Sequence, residues 1–365
     1  MARRLSSVDL FLLAGEPSGD LQGAKLVEAL LSLDPTLRIA AVAGPEMRKF
    51  PIECVEPMES LQVMGFTDVL FALPKIARLF FSLRRKILKL DPKAFVGIDY
   101  PGFNLRLHQS LKKSGFKGKL IHYICPTVWA WGKKRIPRMA ATLDQLLTIL
   151  PFEPSCFSHT PLPVEYVGHP LTEAIRSFKP DPTFRKRHGW QEEDKILAIF
   201  PGSRKQEVER NLPLQLQIAK KLQAEDPRLK IGVGIPFEER YQLMHTAHMA
   251  LAKSGTVALE LALHRTPTIV QYAIRPIDVF LATRVFNINL PFYSLPNLIL
   301  QTEVFPELIG PHLTEERLYE EASRLWSNDA KRTHCQTLCE TLWTQLGSDL
   351  ASLKAAKKIL NLLSR

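Results

Sequence analysis

The stretch LFLLAGEPSGD, residues Leu10–Asp20, contains the strand–turn–helix pattern from which the fold class is predicted. Its apolar run predicts a buried β-strand, and apolar side chains at helical spacing over residues 19–33 predict a helix. Ser18 is predicted as the N-cap of that helix. A strand–glycine–helix turn often binds phosphate at the start of the helix. This turn carries two carboxylates, Glu16 and Asp20, which disfavour phosphate, so the sequence predicts an acidic turn with a different role.

The strand–helix pattern of this stretch recurs along the chain. Repeated strand–helix units predict an α/β fold with parallel sheets. A Pro-rich stretch, residues 151–182, separates two series, which predicts two Rossmann-like domains, 1–170 and 171–345, an interdomain cleft and a C-terminal helix, 346–365. The predicted strands are Asp9–Ala14, Ile39–Ala43, Ala94–Ile98, Lys119–Ile124, Gln145–Ile149, Ile196–Phe200, Lys230–Val233 and Thr268–Tyr272.

One segment is short for its content. Residues 231–252 are only about twenty positions long and have to supply a strand, a helix, a second strand and a loop. Either this segment is abbreviated or the predicted number of elements is wrong there.

The composition is that of a basic globular protein. The chain has 365 residues and a net charge of +11, from 48 basic and 37 acidic residues. Such an excess favours an anionic partner, whether a nucleic acid, a phosphorylated small molecule or an acidic membrane surface; the alternative is that it serves solubility alone. No nucleic-acid recognition motif is found, so no nucleic-acid partner is predicted.

Cysteine usage and hydropathy indicate the cellular compartment in which the protein is expected. The five cysteines, Cys54, Cys125, Cys156, Cys335 and Cys339, form no C-x-x-C motif, which is typical of reduced thiols in the cytosol. No window reaches the roughly 18 apolar residues of a membrane span, so a soluble or peripheral protein is predicted. Metal-binding pairings such as H-E-x-x-H are missing, and neither a metal site nor a cofactor is predicted.

Asp99 is the candidate general base. It follows a predicted buried strand in FVGIDYPGFN, at the carboxyl end where α/β sheets bind ligands. A carboxylate there can remove a proton if it lies within hydrogen-bond reach of it. The alternative is a turn or capping residue.

The segment FPGSRKQE is a candidate anion-binding turn. Gly202 and Ser203 follow a predicted strand, and the glycine allows the backbone to approach a ligand closely. Arg204 offers a planar fork that suits phosphate oxygens. The alternative is an ordinary turn with a surface arginine.

A second candidate anion site lies in AKSGTVALELAL. Ser254, Gly255 and Thr256 begin a predicted helix, whose free N–H groups attract anions. Glu260 lies one turn later on the same face, where it can accept hydrogen bonds from ribose hydroxyls. Alone this is also a common capping sequence; together with the arginine turn it predicts a nucleoside-diphosphate site.

The segment PKIARLFFSLRRKILKL, residues 74–90, is a basic amphipathic helix preceded by the apolar VMGFTDVLFALP. Such helices dock on anionic membranes, although a core helix with a charged outer face is the alternative. The residues predicted to face a membrane are Phe66, Leu79, Phe80, Leu83, Arg84 and Arg85.

Eight motifs together resemble the lipid A disaccharide synthase family, which is similar to other two-domain GT-B glycosyltransferases. They are AGEPSGD, VGIDYPGFN, CPTVWAW, LPFE, VGHP, PGSR, SGTVALE and SLPNLI. Their order is that of the family, and they extend from the first strand to about residue 300.

The resemblance implies an inverting, metal-independent transfer without a cofactor. The donor would be UDP-2,3-diacylglucosamine and the acceptor lipid X, which is 2,3-diacylglucosamine 1-phosphate. The products would be UDP and a β-1′,6-linked disaccharide 1-phosphate. Such enzymes are cytoplasmic and peripheral on the inner face of the bacterial inner membrane, and pairing through an exchanged C-terminal segment would give a homodimer.

The resemblance also assigns roles to residues. Asp99 is the base, Glu16 and Ser18 line the acceptor side, and the N-terminal domain receives the acceptor. The donor residues in the C-terminal domain are Gly202, Ser203, Arg204, Ser254, Gly255, Thr256, Glu260 and Asn297. Family members carry an extra strand and loop within the segment that is short here, so no uracil contact is assigned.

Two alternatives to this function stay open. One is another GT-B enzyme that uses a UDP-sugar, either an epimerase or a peptidoglycan-type transferase. The other is a non-catalytic module that binds a lipid or a nucleotide.

Overall fold

The chain folds into two α/β units. The computed structural model describes residues 8–61, 68–130, 132–274 and 290–364, with the backbone alone for residues 68–73. The first unit comprises Met1–Pro170 together with Asp349–Arg365, and the second comprises Leu171–Ser348.

Seven parallel strands form the sheet of the first unit, in the order β3-β2-β1-β4-β5-β6-β7. In β1, Leu10 and Leu12 point into one hydrophobic core and Phe11 and Leu13 into the other, because helices cover both faces of the sheet. The strands are β1 (Leu10–Ala14), β2 (Ile39–Ala43), β3 (Glu53–Pro57), β4 (Ala94–Ile98), β5 (Lys119–Tyr123), β6 (Gln145–Thr148) and β7 (Val164–Tyr166).

Four helices follow strands of this sheet, and the first corrects the sequence prediction. They are α1 (Pro17–Leu33), α2 (Asp68–Leu90), α3 (Pro101–Lys113) and α4 (Ile136–Thr142). Helix α1 starts before Ser18, so the prediction of Ser18 as N-cap is wrong. Glu16 occupies the N-cap with an extended backbone (φ −151°), because Pro17 already has the fixed φ that suits the first helical position.

The second unit contains five parallel strands in the order β12-β11-β10-β8-β9. The strands are β8 (Lys195–Phe200), β9 (Leu229–Gly232), β10 (Met249–Lys253), β11 (Thr268–Tyr272) and β12 (Glu307–Ile309). The helices are α5 (Pro170–Arg176), α6 (Phe184–Arg187), α7 (Lys205–Glu225), α8 (Arg240–Thr246), α9 (Thr256–Leu263), α10 (Leu295–Leu300), α11 (Glu315–Ser327) and α12 (Asp329–Leu346). The segment 231–252 holds its strand–helix–strand unit because α8 is only seven residues long.

The last helix, α13 (Ala351–Leu363), belongs to the first unit. Its buried Ala355, Ala356 and Ile359 join the same core as α1. The chain therefore leaves the first unit after Pro170 and returns to it at Asp349. Among the helices of the described ranges, none combines the length and apolarity that a membrane span requires.

Candidate functional site

In the first unit, the strand order reverses between β1 and β4, which lie side by side with Ala14 opposite Ile98. Parallel α/β sheets bind ligands at such a switch point, beyond the carboxyl ends of the strands. Glu16 lies just after β1 and Asp99 directly after β4, and their carboxyl groups are close enough for the charge of Glu16 to raise the pKa of Asp99. The structure thus joins two of the predicted site residues.

The Asp99 carboxyl has an unusual proton affinity. Burial and the negative charge of Glu16 raise its pKa to about 6, although a hydrogen bond from the Tyr100 backbone N–H lowers it. At pH 7 about nine tenths of Asp99 would then be ionised. A carboxylate of this pKa is a stronger base than an ordinary aspartate and is still ready to accept a proton near neutral pH.

The backbone at this turn is strained. Asp99 and Tyr100 both have φ of 46°, in the left-handed region that non-glycine residues rarely occupy. The Asp99 N–H donates to the Tyr123 carbonyl at 2.8 Å, and the buried Asn104 amide donates to the carbonyl of Asp99 at 2.8 Å and to that of Ile98 at 3.3 Å. Such strain is typical of functional sites and persists where surrounding contacts hold it.

Gly15 is required by packing at this site. A Cβ atom on Gly15 would lie 2.1 Å from Cδ1 of Tyr100, whose ring covers the turn. The Tyr100 hydroxyl in turn donates to the Leu61 carbonyl at 3.4 Å. The glycine that resembled part of a phosphate loop thus makes room for an aromatic ring.

The second carboxylate of the opening turn, Asp20, is structural. It is buried and accepts hydrogen bonds from the backbone N–H groups of Gly44 (2.8 Å), Glu46 (2.8 Å) and Met47 (3.2 Å). It therefore fixes the loop after β2. Ser18, the other predicted acceptor-side residue, is exposed on the first turn of α1.

In the second unit, the strand order reverses between β8 and β10. The loop after β8 carries Gly202, Ser203 and Arg204, and Arg204 is the N-cap of α7. Glu207 accepts hydrogen bonds from the backbone N–H groups of Ser203 at 3.1 Å and of Arg204 at 3.3 Å. The Arg204 side chain is 84% exposed, with its Nη1 3.4 Å from Oε1 of Glu207, so it is free to reach a ligand.

Lys253 is a functional candidate that sequence reasoning missed. Its Nζ lies 3.1 Å from Oε1 of Glu207, and both side chains are mostly buried. The same Nζ lies 4.5 Å from the Tyr272 ring centre and 4.0 Å from where a Cβ on Gly255 would be. Burial alone would raise the pKa of Glu207, but hydrogen bonds from Lys253 and from the Arg204 backbone lower it, so the pair is ionic.

The turn after β10 leads into α9, which begins at Thr256 with Gly255 as N-cap. Ser254 precedes it, and its backbone N–H donates to Gln271 at 2.8 Å. Glu260 lies one turn into α9 and is buried. Its Oε1 accepts hydrogen bonds from the Tyr241 hydroxyl at 3.1 Å and from Arg240 at 3.3 Å, whereas its Oε2 has no protein partner among the described residues.

The short segment 231–252, to which the sequence assigned no uracil contact, adds a cation and an aromatic ring beside Glu260. The Arg240 guanidinium carbon lies 3.8 Å from the ring centre of Phe237 and 4.3 Å from that of Tyr241. Phe237 is 70% exposed. The signal available in the sequence was a phenylalanine in an otherwise polar turn, IPFEER.

Asn297, a predicted donor residue, is fully buried and its amide is fully used by the protein. Its Nδ2 donates to the Phe305 carbonyl at 2.8 Å and to Glu307 at 2.9 Å. Its Oδ1 accepts from the N–H groups of Val304 at 2.9 Å and Phe305 at 3.0 Å. An amide with four protein partners has no polar atom left for a ligand.

The apolar stripe of α2 faces the protein core, which corrects part of the membrane prediction. Leu83 is fully buried, and Leu79 and Phe80 pack against the same core. The Phe80 ring meets the Phe103 ring edge-on, with centres 5.4 Å apart. Because Leu83 is buried in this core, it cannot contact a membrane. The periodicity of the sequence shows which residues share a side of the helix but not what that side faces.

The outer side of α2 carries the exposed Phe81 and Arg85. The Arg84 guanidinium carbon lies 5.2 Å from the Phe81 ring centre, and Nη1 of Arg84 donates to Ser110 at 3.3 Å. Phe66 lies outside the described residues. Among the side chains of α2 that the structure describes, Lys75, Arg78, Arg85 and Lys89 are also exposed, so the outer side of the helix is basic around Phe81.

Of the two tryptophans of CPTVWAW, Trp129 packs within the first unit, and Trp131 lies outside the described residues. The Trp129 ring meets the Phe152 ring edge-on, with centres 5.6 Å apart, and Trp129 is hydrogen-bonded to Glu153. Burial raises the pKa of Glu153 to about 8. Over the described ranges, no three His, Cys, Asp or Glu side chains are close enough to hold a metal ion together.

The sequence and fold match known proteins. A model of the lipid-A-disaccharide synthetase family matches residues 10–238 and 234–360. The chain belongs to this family. A lipid-A-disaccharide synthase of Rhodospirillum centenum is 34% identical over 98% of this chain and 95% of its own length. One from Chlamydia pneumoniae is 38% identical over 97% of this chain, which spans only 62% of that relative.

Solved structures share the fold of this family member. A putative UDP-N-acetylglucosamine 2-epimerase from Listeria monocytogenes superposes with a TM-score of 0.64 at 11% identity, covering 97% of this chain and 95% of the epimerase. The glycotransferase of kitacinnamycin superposes with a TM-score of 0.60 at 13% identity, covering 98% of this chain and all of that one. The fold class is therefore that of two-domain GT-B enzymes, as the sequence predicted.

Proposed function

We propose that this chain is an inverting glycosyltransferase, a lipid A disaccharide synthase. It would move 2,3-diacylglucosamine from its UDP-linked donor to the 6-hydroxyl of 2,3-diacylglucosamine 1-phosphate. The observation that carries the proposal is the neighbouring Glu16 and Asp99 carboxyl groups at the switch point of the first sheet. Family membership supports the choice of substrates.

In this proposal the first unit binds the acceptor and activates it. Asp99 takes the proton of the 6-hydroxyl as that oxygen attacks the anomeric carbon of the donor. The new C–O bond forms as the bond from the anomeric carbon to the phosphate oxygen breaks, and UDP leaves. The pKa of about 6 supports this role, since a base works best when its pKa lies near the operating pH.

The second unit binds the donor and receives the charge that develops on the departing UDP. Arg204 and the N–H groups at the start of α9 supply hydrogen bonds to the diphosphate, with Gly202, Ser203, Ser254, Gly255 and Thr256 shaping the two turns. Lys253 supports this assignment, because its ammonium is held beside Gly255 by Glu207. Preorganised donors of this kind are often the largest single contribution to catalysis.

Glu260 would hold the ribose through Oε2, since Oε1 already accepts hydrogen bonds from Tyr241 and Arg240. The contribution of Asn297 would be indirect. It fixes the backbone of Val304 and Phe305 and the carboxylate of Glu307. Glu307 in turn accepts hydrogen bonds from the backbone N–H groups of residues 293 and 294, just before α10.

A membrane supplies both acylated substrates in this proposal, and the protein would be peripheral on the cytoplasmic side of the bacterial inner membrane. Phe81 and Arg85 on the outer side of α2 support a contact with an anionic surface, since an exposed aromatic residue beside arginines suits the lipid interface. A homodimer stays a prediction.

The test is an assay with both acylated substrates in detergent micelles. We expect UDP release and disaccharide formation in equal amounts, detected by mass spectrometry. The Asp99→Asn variant should bind UDP normally and lose turnover. Asp91→Asn is the matched control, because Asp91 also has a left-handed backbone (φ 44°) but is exposed at the opposite end of β4. UDP binding without any disaccharide from the unaltered protein would contradict the proposal.

A further inference from the structure

A cavity of about 150 Å³ lies between α3 and α4 of the first unit. The first turn of α3, Pro101 and Gly102, forms one side of it. Further along α3 it is lined by Arg106 and Gln109, and Arg135 and Arg138 close it from the segment of α4. We call this cavity the arginine pocket.

The charge of the arginine pocket is unbalanced. Three arginines line it, and no aspartate or glutamate does. Arg106 and Arg138 have no hydrogen-bond, ionic or ring partner among the described residues, unlike Arg187, which bonds to both Asp181 and Glu239. Guanidinium groups that converge without a carboxylate are suited to an anion from solution, and their planar forks match phosphate oxygens.

One residue that lines the pocket, His108, is neutral and faces the sheet. His108 lines the cavity and is fully buried, and neither of its ring nitrogens has a hydrogen-bond partner. Burial and the nearby His122 keep the pKa of His108 well below its usual value, so the ring is neutral and carries one N–H donor. The ring packs against Phe95 and His122 of the sheet, with ring centres 4.8 Å and 5.6 Å away, and its Nε2 lies 2.9 Å from where a Cβ on Gly97 would be. His108 therefore adds no charge to the cavity, and the anion-binding character of the pocket comes from its arginines.

The position of the pocket links it to the proposed reaction. Pro101 and Gly102, which line the pocket, begin α3 directly after the Asp99–Tyr100 turn, and a Cβ on Gly102 would meet no atom within 4 Å. Arg106 lies about 8 Å along the helix axis from Pro101. One sugar can therefore present a hydroxyl to Asp99 and a phosphate to the arginines. The start of α3 adds the positive end of its helix dipole.

We propose that the arginine pocket binds the phosphate monoester of the acceptor, an inference that rests on the proposed function. Arg106 and Arg138 hold the phosphate oxygens, and Arg135 and Gln109 complete the donor set. The pocket thereby selects a phosphorylated acceptor over its dephosphorylated form and orients the sugar toward Asp99.

The test compares two acceptors by calorimetry in detergent micelles: 2,3-diacylglucosamine 1-phosphate and the same lipid without the phosphate. The unaltered protein should prefer the phosphorylated form by about tenfold to a hundredfold, the range given by hydrogen bonds to charged groups. The double variant Arg106→Gln/Arg138→Gln should lose this preference and keep its donor KM. Both arginines are exposed, so the variant should fold, which its melting temperature checks.

The matched control is Lys113→Gln, which removes one charge from an exposed residue at the far end of α3 and should keep the preference. No preference in the unaltered protein, or an intact preference in the double variant, would overturn the proposal. Inorganic phosphate is the second probe, followed by ³¹P line broadening. If the double variant no longer binds inorganic phosphate but keeps the preference for the phosphorylated acceptor, the pocket is a site for free anions and its assignment to the acceptor is wrong.

Calorimetry needs no turnover, so it separates this inference from the proposed function. A preference for the phosphorylated lipid without disaccharide formation would support the pocket and contradict the transferase. Disaccharide formation without any preference for the phosphorylated lipid would support the transferase and contradict the proposed role of the pocket.

Discussion

Replacing Asp99 by asparagine should abolish turnover and at the same time stabilise the protein at alkaline pH. The carboxyl is partly buried beside Glu16, which raises its pKa from an ordinary 3.8 to about 6. The folded state therefore binds the proton more tightly than the unfolded chain does. Stability from this group is fully present below pH 3.8 and is lost as the pH rises through 6.

The size of the effect follows from the pKa difference. A rise of about two units corresponds to about 3 kcal/mol at pH 8, since each unit is worth about 1.4 kcal/mol. Water reaches part of the carboxyl, so about 1–3 kcal/mol is expected. Asparagine cannot ionise and tolerates the left-handed backbone of this position. In a unit of this size the melting temperature should rise by about 2–12 °C.

The assay is thermal unfolding of Asp99→Asn and of the unaltered protein at pH 8 and at pH 4. The stabilisation should be present at pH 8 and largely absent at pH 4. Asp91→Asn, with the same substitution on an exposed left-handed residue, should change little at either pH. A variant that is less stable at pH 8, or equally shifted at both pH values, would refute the raised pKa and with it this part of the mechanism.

Three further predictions concern single side chains. Glu16→Gln should move the acid limb of the kcat/KM pH profile to lower pH by about one unit, because it removes a neighbouring negative charge; an unmoved limb would separate Glu16 from the base. Lys253→Ala should lower kcat by about 10²–10³, the loss of one preorganised donor, with the partly exposed Lys230→Ala on the edge strand β9 as control, and an unchanged rate would remove Lys253 from the donor site. Asn297→Ala should destabilise the second unit by about 2–4 kcal/mol in urea unfolding, since it leaves buried polar groups without hydrogen-bond partners. A neutral effect would contradict the structural role of Asn297.

Most central strands could be predicted from the sequence because they are short apolar runs between turn residues. The exception is β10, at the centre of the second sheet, which was expected within residues 231–252 but received no bounds. Ile39–Ala43, Ala94–Ile98 and Thr268–Tyr272 have the predicted bounds. Strand β3, Glu53–Pro57, was not predicted, because it lies at an edge of the sheet, holds two glutamates and a proline, and contains no buried residue. Edge strands need less burial, so their composition resembles that of a loop.

The candidate site was predictable where a motif and a strand end coincide. Asp99 and Arg204 each follow a strand, and the sheet order brings Glu16 beside Asp99. The ion pair of Lys253 with Glu207 was not predictable, since it joins residues far apart in sequence that become neighbours only when β8 and β10 pair. Nor could sequence show that Asn297 is fully hydrogen-bonded inside the protein.

The return of α13 to the first unit makes the second unit an insertion. Where the chain leaves and re-enters, its two ends are neighbours: a Cβ on Gly168 would lie 3.4 Å from the carbonyl oxygen of Asp349. A short linker joining Pro170 to Asp349 could therefore excise the second unit and leave the first with its core complete. Removing the last helix would instead take Ala355, Ala356 and Ile359 out of that core. The middle of this chain is thus its detachable part, and its C-terminus is not.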